Sequence, residues 1–212
     1  MSGSDPLLDR AAIEDALGRL GDRLARRGVV ADVYVFGGAA IALAYDARRA
    51  TRDIDAVFQP HGLVVEEALA VAQELGLPRW WLNEQASAYV APAGDAVARR
   101  VFDHPGLRVT AASPEHLLAM KVLAARRRDI GDIRLLAEHL GLTSAEEVIE
   151  LCAEVFPDER PPDRVILILE DLFGVPGYGG QPQAGSFARQ SGQRRMAGSS
   201  EAQATSVRCS AI

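Results

Sequence analysis

Lysine is almost missing from this chain. Of its 23 basic residues, 22 are arginine and one, Lys121, is lysine. Cysteine is nearly as scarce, with only Cys152 and Cys209 present. These two show no CxxC pattern and no Cys/His ligand spacing, which excludes a disulfide scaffold and a zinc ribbon. No apolar run approaches the ~20 residues of a membrane-spanning helix. The opening MSGSDPLLDR lacks the basic-then-apolar order of a secretory signal. GxSxG, HExxH and Walker-A patterns are absent. The four histidines, His61, His104, His116 and His139, have no mutual metal spacing. A reduced, cytoplasmic protein without membrane contact is expected.

What is present is an ordinary globular composition. The chain is 48% hydrophobic and 25% charged over 212 residues, enough for a core that needs neither disulfide nor structural metal. The net charge of -6 is unevenly spread. Residues 175–212 hold four Arg and one Glu, +3, so residues 1–174, with 19 basic and 28 acidic side chains, carry -9. A folded part that acidic is a poor general nucleic-acid binder, because phosphate contacts supply most non-specific affinity; it leaves room for a local basic patch.

Residues 5–28 read as an amphipathic helix, with Ile13, Leu17, Leu20 and Leu24 at helical spacing and Gly28 as its stop. VVADVYVFGG is a short β-branched and aromatic run ending in two glycines, and AAIALAYDA follows with strong helix formers. RDIDAVF alternates, Ile54, Ala56 and Phe58 on one face and Asp53, Asp55 and Val57 on the other. Leu63–Leu75 is a helix closed by Gly76. WWLNEQASAYV, VARRVF and GLRVTAA are predicted strands, and helices are predicted over 113–127, 129–140, 144–155 and 162–173. The order predicts an α+β fold: a small mixed sheet with flanking helices over 1–110, then a helical bundle over 111–174. The Gly-, Ser-, Gln- and Ala-rich stretch 175–212 cannot bury enough surface to offset ordering entropy and is predicted to be disordered.

Gly37 and Gly38 fall where a strand ends and a helix begins. Such a junction brings unobstructed backbone N–H groups to the positive end of a helix dipole, which suits a phosphate. In a strand, residues i and i+2 share a face, so Asp53 and Asp55 stand side by side and repel unless something positive lies between them. Paired carboxylates that stay ionised suit Mg²⁺, or Mn²⁺ in its place, which leaves positions for water and substrate phosphates. The expectation is a divalent cation at Asp53 and Asp55, beside a nucleoside triphosphate cradled at Gly37–Gly38.

FGGAAIALAYDARRATRDIDAVF resembles the signature of the polymerase-β nucleotidyltransferase superfamily: Gly-Gly after an apolar residue, an amphipathic helix, then a Thr or Ser just before Asp-apolar-Asp-apolar. The resemblance covers Val33–Phe58. It implies that Gly37 and Gly38 hold triphosphate and that Asp53 and Asp55 hold metal; Thr51 and Arg52, next to the aspartates, are candidates for the same nucleotide site. Arg48, Arg49 and Arg52 flank this site and are either phosphate ligands or exposed loop charges. Trp80 and Trp81 either stack a base or anchor the core.

From Leu117 to Ala125 every residue is apolar except Lys121, and a helix apolar all round is a buried one. A buried ammonium is costly unless it meets a carboxylate or phosphate. A chain that uses arginine at every other basic position keeps its compact charge here, which points to phosphate neutralisation in a tight site over a structural pairing. Asp129 and Asp132 share the next helix face. Together, the lysine and the RDxxD that follows resemble the second motif set of AbiEii/MenT-like nucleotidyltransferases, which include toxins of toxin–antitoxin pairs. That resemblance adds Lys121, and Asp129 or Asp132, to the catalytic group. Asp95 and Asp103 are the remaining acids near predicted strands, and neither lies in an alternating run.

The expected function is Mg²⁺-dependent transfer of a nucleoside monophosphate from an NTP to an acceptor hydroxyl. The resemblance implies a tRNA or other RNA acceptor and a neutralising antitoxin as partner. The competing expectations are a small aminoglycoside-like or protein acceptor, or a silent module that binds nucleotide without turnover.

Overall fold

The computed structural model describes residues 6–87 and 94–174. The chain runs α1 (Arg10–Arg26), β1 (Ala31–Val35), α2 (Gly37–Ala44), β2 (Ile54–Gln59), α3 (His61–Leu75), β3 (Leu82–Asn83), β4 (Arg99–His104) and β5 (Leu107–Ala111). It continues through α4 (Pro114–Ala124), a 3-10 turn (Arg127–Asp129), α5 (Ile130–Leu140), α6 (Ala145–Val155) and α7 (Asp163–Phe173). The fold is α+β, as the sequence predicts. The predicted disordered stretch 175–212 lies outside the described residues. Among those described, no helix is long and apolar enough to cross a membrane.

Five strands form one mixed sheet in the order β3-β2-β1-β5-β4. β1 pairs antiparallel with β2 and parallel with β5; β3 lies parallel to β2, and β4 antiparallel to β5. Alternation gives the sheet two unlike faces. Val33, Val35, Ile54, Ala56, Phe58, Leu107, Val109 and Ala111 are buried in the core, whereas Tyr34, Asp55, Val57 and Thr110 are only half-buried. The carboxylate of Asp55 therefore belongs to the less covered face.

Most boundaries shift by a few residues, and three departures have a visible cause. The first helix begins at Arg10, not at residue 5, because Asp9 caps it by accepting from the Ala12 N–H at 2.9 Å. Ahead of that cap, Leu8 forms an isolated bridge with Thr51: each N–H donates to the other's carbonyl, at 2.7 and 2.9 Å. Among its described residues, the predicted strand WWLNEQASAYV contributes only Leu82–Asn83, paired with Ile54 and Asp55. Asn83 ends it, since its side-chain oxygen accepts from the Gln85 N–H at 2.9 Å and turns the backbone. Residues 88–90 of that run lie outside the described residues.

The third departure matters most for the site. α4, capped by Ser113 and opened by Pro114, stops at Ala124 rather than at 127. Ala125 takes a left-handed conformation, φ 48°, which costs a non-glycine residue about 1 kcal/mol. The chain reverses there, and the short 3-10 turn brings Asp129 back onto α4. Asp129 and Asp132 thus do not share one helix: Asp129 ends the turn and Asp132 lies in the first turn of α5.

Candidate active site

Phe36 continues β1 in extended conformation, and its N–H donates to the Asp55 carbonyl at 3.0 Å, which fixes the start of α2 against β2. Gly37 then takes φ +64°, where a side chain is strained. A Cβ at Gly37 would stand 3.1 Å from an Asp55 carboxylate oxygen, and one at Gly38 would stand 2.8 Å from the Thr51 hydroxyl. The glycine pair is thus required by what packs on it. No side chain caps α2, so its first-turn N–H groups remain available to an anion. Replacing Gly38 by alanine is expected to cost about 1–3 kcal/mol through overpacking against Thr51. Thr51→Ala in the same chain should recover part of that loss in urea denaturation, and an unchanged Gly38→Ala midpoint would remove the packing argument.

Asp53 immediately precedes β2 and Asp55 is its second residue. The Asn83 amide donates to the Asp53 carboxylate at 3.1 Å and to the Trp80 carbonyl at 3.2 Å. Burial, and then the charge of Asp53, raise the Asp55 carboxyl from its ordinary 3.8 to about 6, against the opposing pull of Arg126, Lys121 and Arg128. A site that resists holding two negative charges is one that a divalent cation relieves. Asp53 and Asp55 fit Mg²⁺, an oxygen-seeking ion that takes one or two carboxylates and completes its shell with water and phosphate. Among the described residues no group of three His, Cys, Asp or Glu side chains is gathered for a metal.

Lys121 is buried, as its apolar surroundings predict. Its ammonium meets Asp129 at 2.9 Å and Asp132 at 2.7 Å, and the Arg49 guanidinium grips the other Asp132 oxygen. Arg49 comes from the loop between α2 and β2, so this chain of charges ties that loop to α4 and α5. Asp129 is itself buried.

These groups line one cavity of about 450 Å³. The nine residues expected to bind nucleotide or metal or to join in catalysis all contribute: Gly37, Gly38, Thr51, Arg52, Asp53, Asp55, Lys121, Asp129 and Asp132. Arg49, Arg126 and Arg128 add positive charge to the wall, while Arg127 and Arg48 are not among its lining. Asp95 and Asp103 are also not among it. The Asp95 carboxylate accepts from the Tyr34 hydroxyl at 2.9 Å and the Ser113 N–H at 2.7 Å, whereas Asp103 pairs on the surface with Arg100. Sequence reasoning missed Asn83 as the partner of Asp53, and nothing in its local pattern marks it. The tandem tryptophans divide: Trp81 is fully buried, with its indole N–H on the Ala68 carbonyl, and Trp80 lines the cavity.

A glycine-led helix start beside paired carboxylates, on a mixed sheet flanked by helices, is the arrangement of a nucleotidyltransferase core. Residues 16–165, more than two thirds of the chain, match the family described as nucleotidyltransferase of unknown function (DUF6036), and the chain belongs to that family. No curated protein and no solved structure matches it.

Proposed function

We propose that the protein is a Mg²⁺-dependent nucleotidyltransferase of AbiEii/MenT-like type, working in the cytoplasm on an RNA acceptor such as a tRNA. The observation that carries this reading is the convergence, in one cavity, of an uncapped glycine helix start, a mutually repelling carboxylate pair and a buried lysine. Asp53 and Asp55 would hold Mg²⁺, or Mn²⁺ in its place, which supplies charge neutralisation at the phosphates and activation of the attacking oxygen. The α2 N–H groups at Gly37 and Gly38, with Thr51 and Arg52 beside them, bind the triphosphate. Lys121 neutralises charge on the transferred and departing phosphates. In the transfer, an acceptor O–Pα bond forms, the bond from Pα to the pyrophosphate oxygen breaks, and the hydroxyl proton passes to a carboxylate. Among the described residues, Asp129 and Asp132 are the acids lining the cavity apart from the metal pair, and one of them takes that role.

Arg126 and Arg128 in the wall support a phosphate-bearing acceptor, since the folded part is otherwise acidic. A toxin of this type is neutralised by an antitoxin, which is the expected protein partner.

The test is incubation of the full chain with α-labelled NTPs, Mg²⁺ and total RNA. Label is expected on RNA and is expected to vanish in Asp53→Ala. Label on protein or on a small polyol would keep the transferase and replace the acceptor. No label on any acceptor, with nucleotide binding intact, would overturn the enzyme in favour of a silent binding module.

A further inference from the structure

Trp80 is 39% exposed, next to a Trp81 that is fully buried. The backbone holding it is fixed twice over. The Ile54 N–H donates to the Trp81 carbonyl at 2.6 Å, and the Trp80 carbonyl accepts from Asn83, whose amide also binds Asp53. Trp80 is therefore a partly exposed indole on a pinned main chain at the cavity wall. Leu7 and Ala86 line the same cavity and are apolar too.

Its position along the sheet says what that surface is for. The order β3-β2-β1 sets three features in a row: Trp80 and Asn83 on the β3 side, Asp53 and Asp55 at the start of β2, and the Gly37–Gly38 helix start after β1. Two strand spacings, about 10 Å, separate the outer members of the row. That is the scale that separates a nucleotide's phosphates from its base. We infer that Trp80 is the stacking platform for the base of the bound NTP, an inference that rests on the transferase reading above. The triphosphate lies toward the glycines, the acids stand between, and the base lies on the indole. A flat π-face accepts every base, so the platform supplies affinity while leaving base choice to other groups.

The test is calorimetry on the full chain with Mg²⁺, comparing α,β-methylene ATP with inorganic tripolyphosphate, in wild type, Trp80→Ala and Trp80→Phe. Trp80→Ala is expected to weaken the nucleotide by roughly tenfold or more while leaving tripolyphosphate within about twofold. Trp80→Phe should keep most of the nucleotide affinity. Equal loss for both ligands would make Trp80 structural and overturn the inference, as would unchanged nucleotide affinity in Trp80→Ala. A loss confined to RNA binding would place the indole on the acceptor and overturn it too. If wild type binds neither ligand, the triphosphate site itself is wrong, which is the separate failure of the transferase reading.

Discussion

Asp55→Asn is expected to abolish transfer while making the protein harder to melt. The first effect follows from removing one of the two carboxylates that fit the cation, and losses of about a hundred- to a thousandfold accompany the removal of a single preorganised electrostatic group. The second follows from the rise of the Asp55 carboxyl to about 6. The folded protein holds this proton up to about pH 6 and the unfolded chain releases it near 3.8, so the fold loses stability as pH rises through that interval. At pH 7.5 the whole cost stands, and asparagine removes it. Unscreened, the shift corresponds to about 3 kcal/mol. The carboxylate is only half-buried, so solvent screening leaves about 1 kcal/mol, or 2–4 °C in melting temperature. Mg²⁺ should raise the melting point of wild type and leave the variant unmoved. The cation competes with the same proton, so its affinity for wild type should fall about tenfold per pH unit below 6 and level off above. An active Asp55→Asn, or an affinity flat from pH 5 to 7.5, would take Asp55 out of the metal site.

Legibility in the sequence depends on how local each signal is. Gly37–Gly38 and Asp53/Asp55 are legible because the strand and helix periods alone set their geometry. The burial of Lys121 is legible for a similar reason, since its neighbours in sequence are all apolar. The break after α4 is not, because nothing announces that Ala125 will adopt a left-handed conformation that alanine seldom takes. That hidden reversal sets the exposed Arg126 and Arg128 along the cavity. Asn83, and which of the two tryptophans reaches the cavity, are hidden by a different cause. The stretch around them takes its shape from pairing with β2 and from an Asn side chain closing a turn, neither of which leaves an alternating pattern. Asp95 illustrates the converse case: an acid close to a strand, whose burial against Tyr34 and Ser113 depends wholly on residues distant in sequence.

Lys121→Arg is expected to melt within about 2 °C of wild type and to lose at least about a hundredfold in rate. The donors of the ammonium decide both effects. It has three N–H bonds: one donates to Asp129 at 2.9 Å, and the Asp132 carboxylate pairs with the ammonium at 2.7 Å. Even with both acids served, one N–H is left over for a phosphate oxygen in the cavity that all three residues line. A guanidinium keeps the charge and satisfies both acids, which preserves the fold. Its planar fork is longer and rigid, so it fills the space the leaving phosphate needs instead of offering one compact donor. Lys121→Met separates the two roles. It leaves the buried Asp129 without its cation, and breaking a buried pair from one side typically costs about 3–5 kcal/mol, so this variant should lose both rate and stability. Melting curves and single-turnover transfer rates on the two variants decide the matter together. A fully active Lys121→Arg would show that charge alone suffices. A Lys121→Arg that unfolds like Lys121→Met would reduce the lysine to a structural tie among α4, the 3-10 turn and α5.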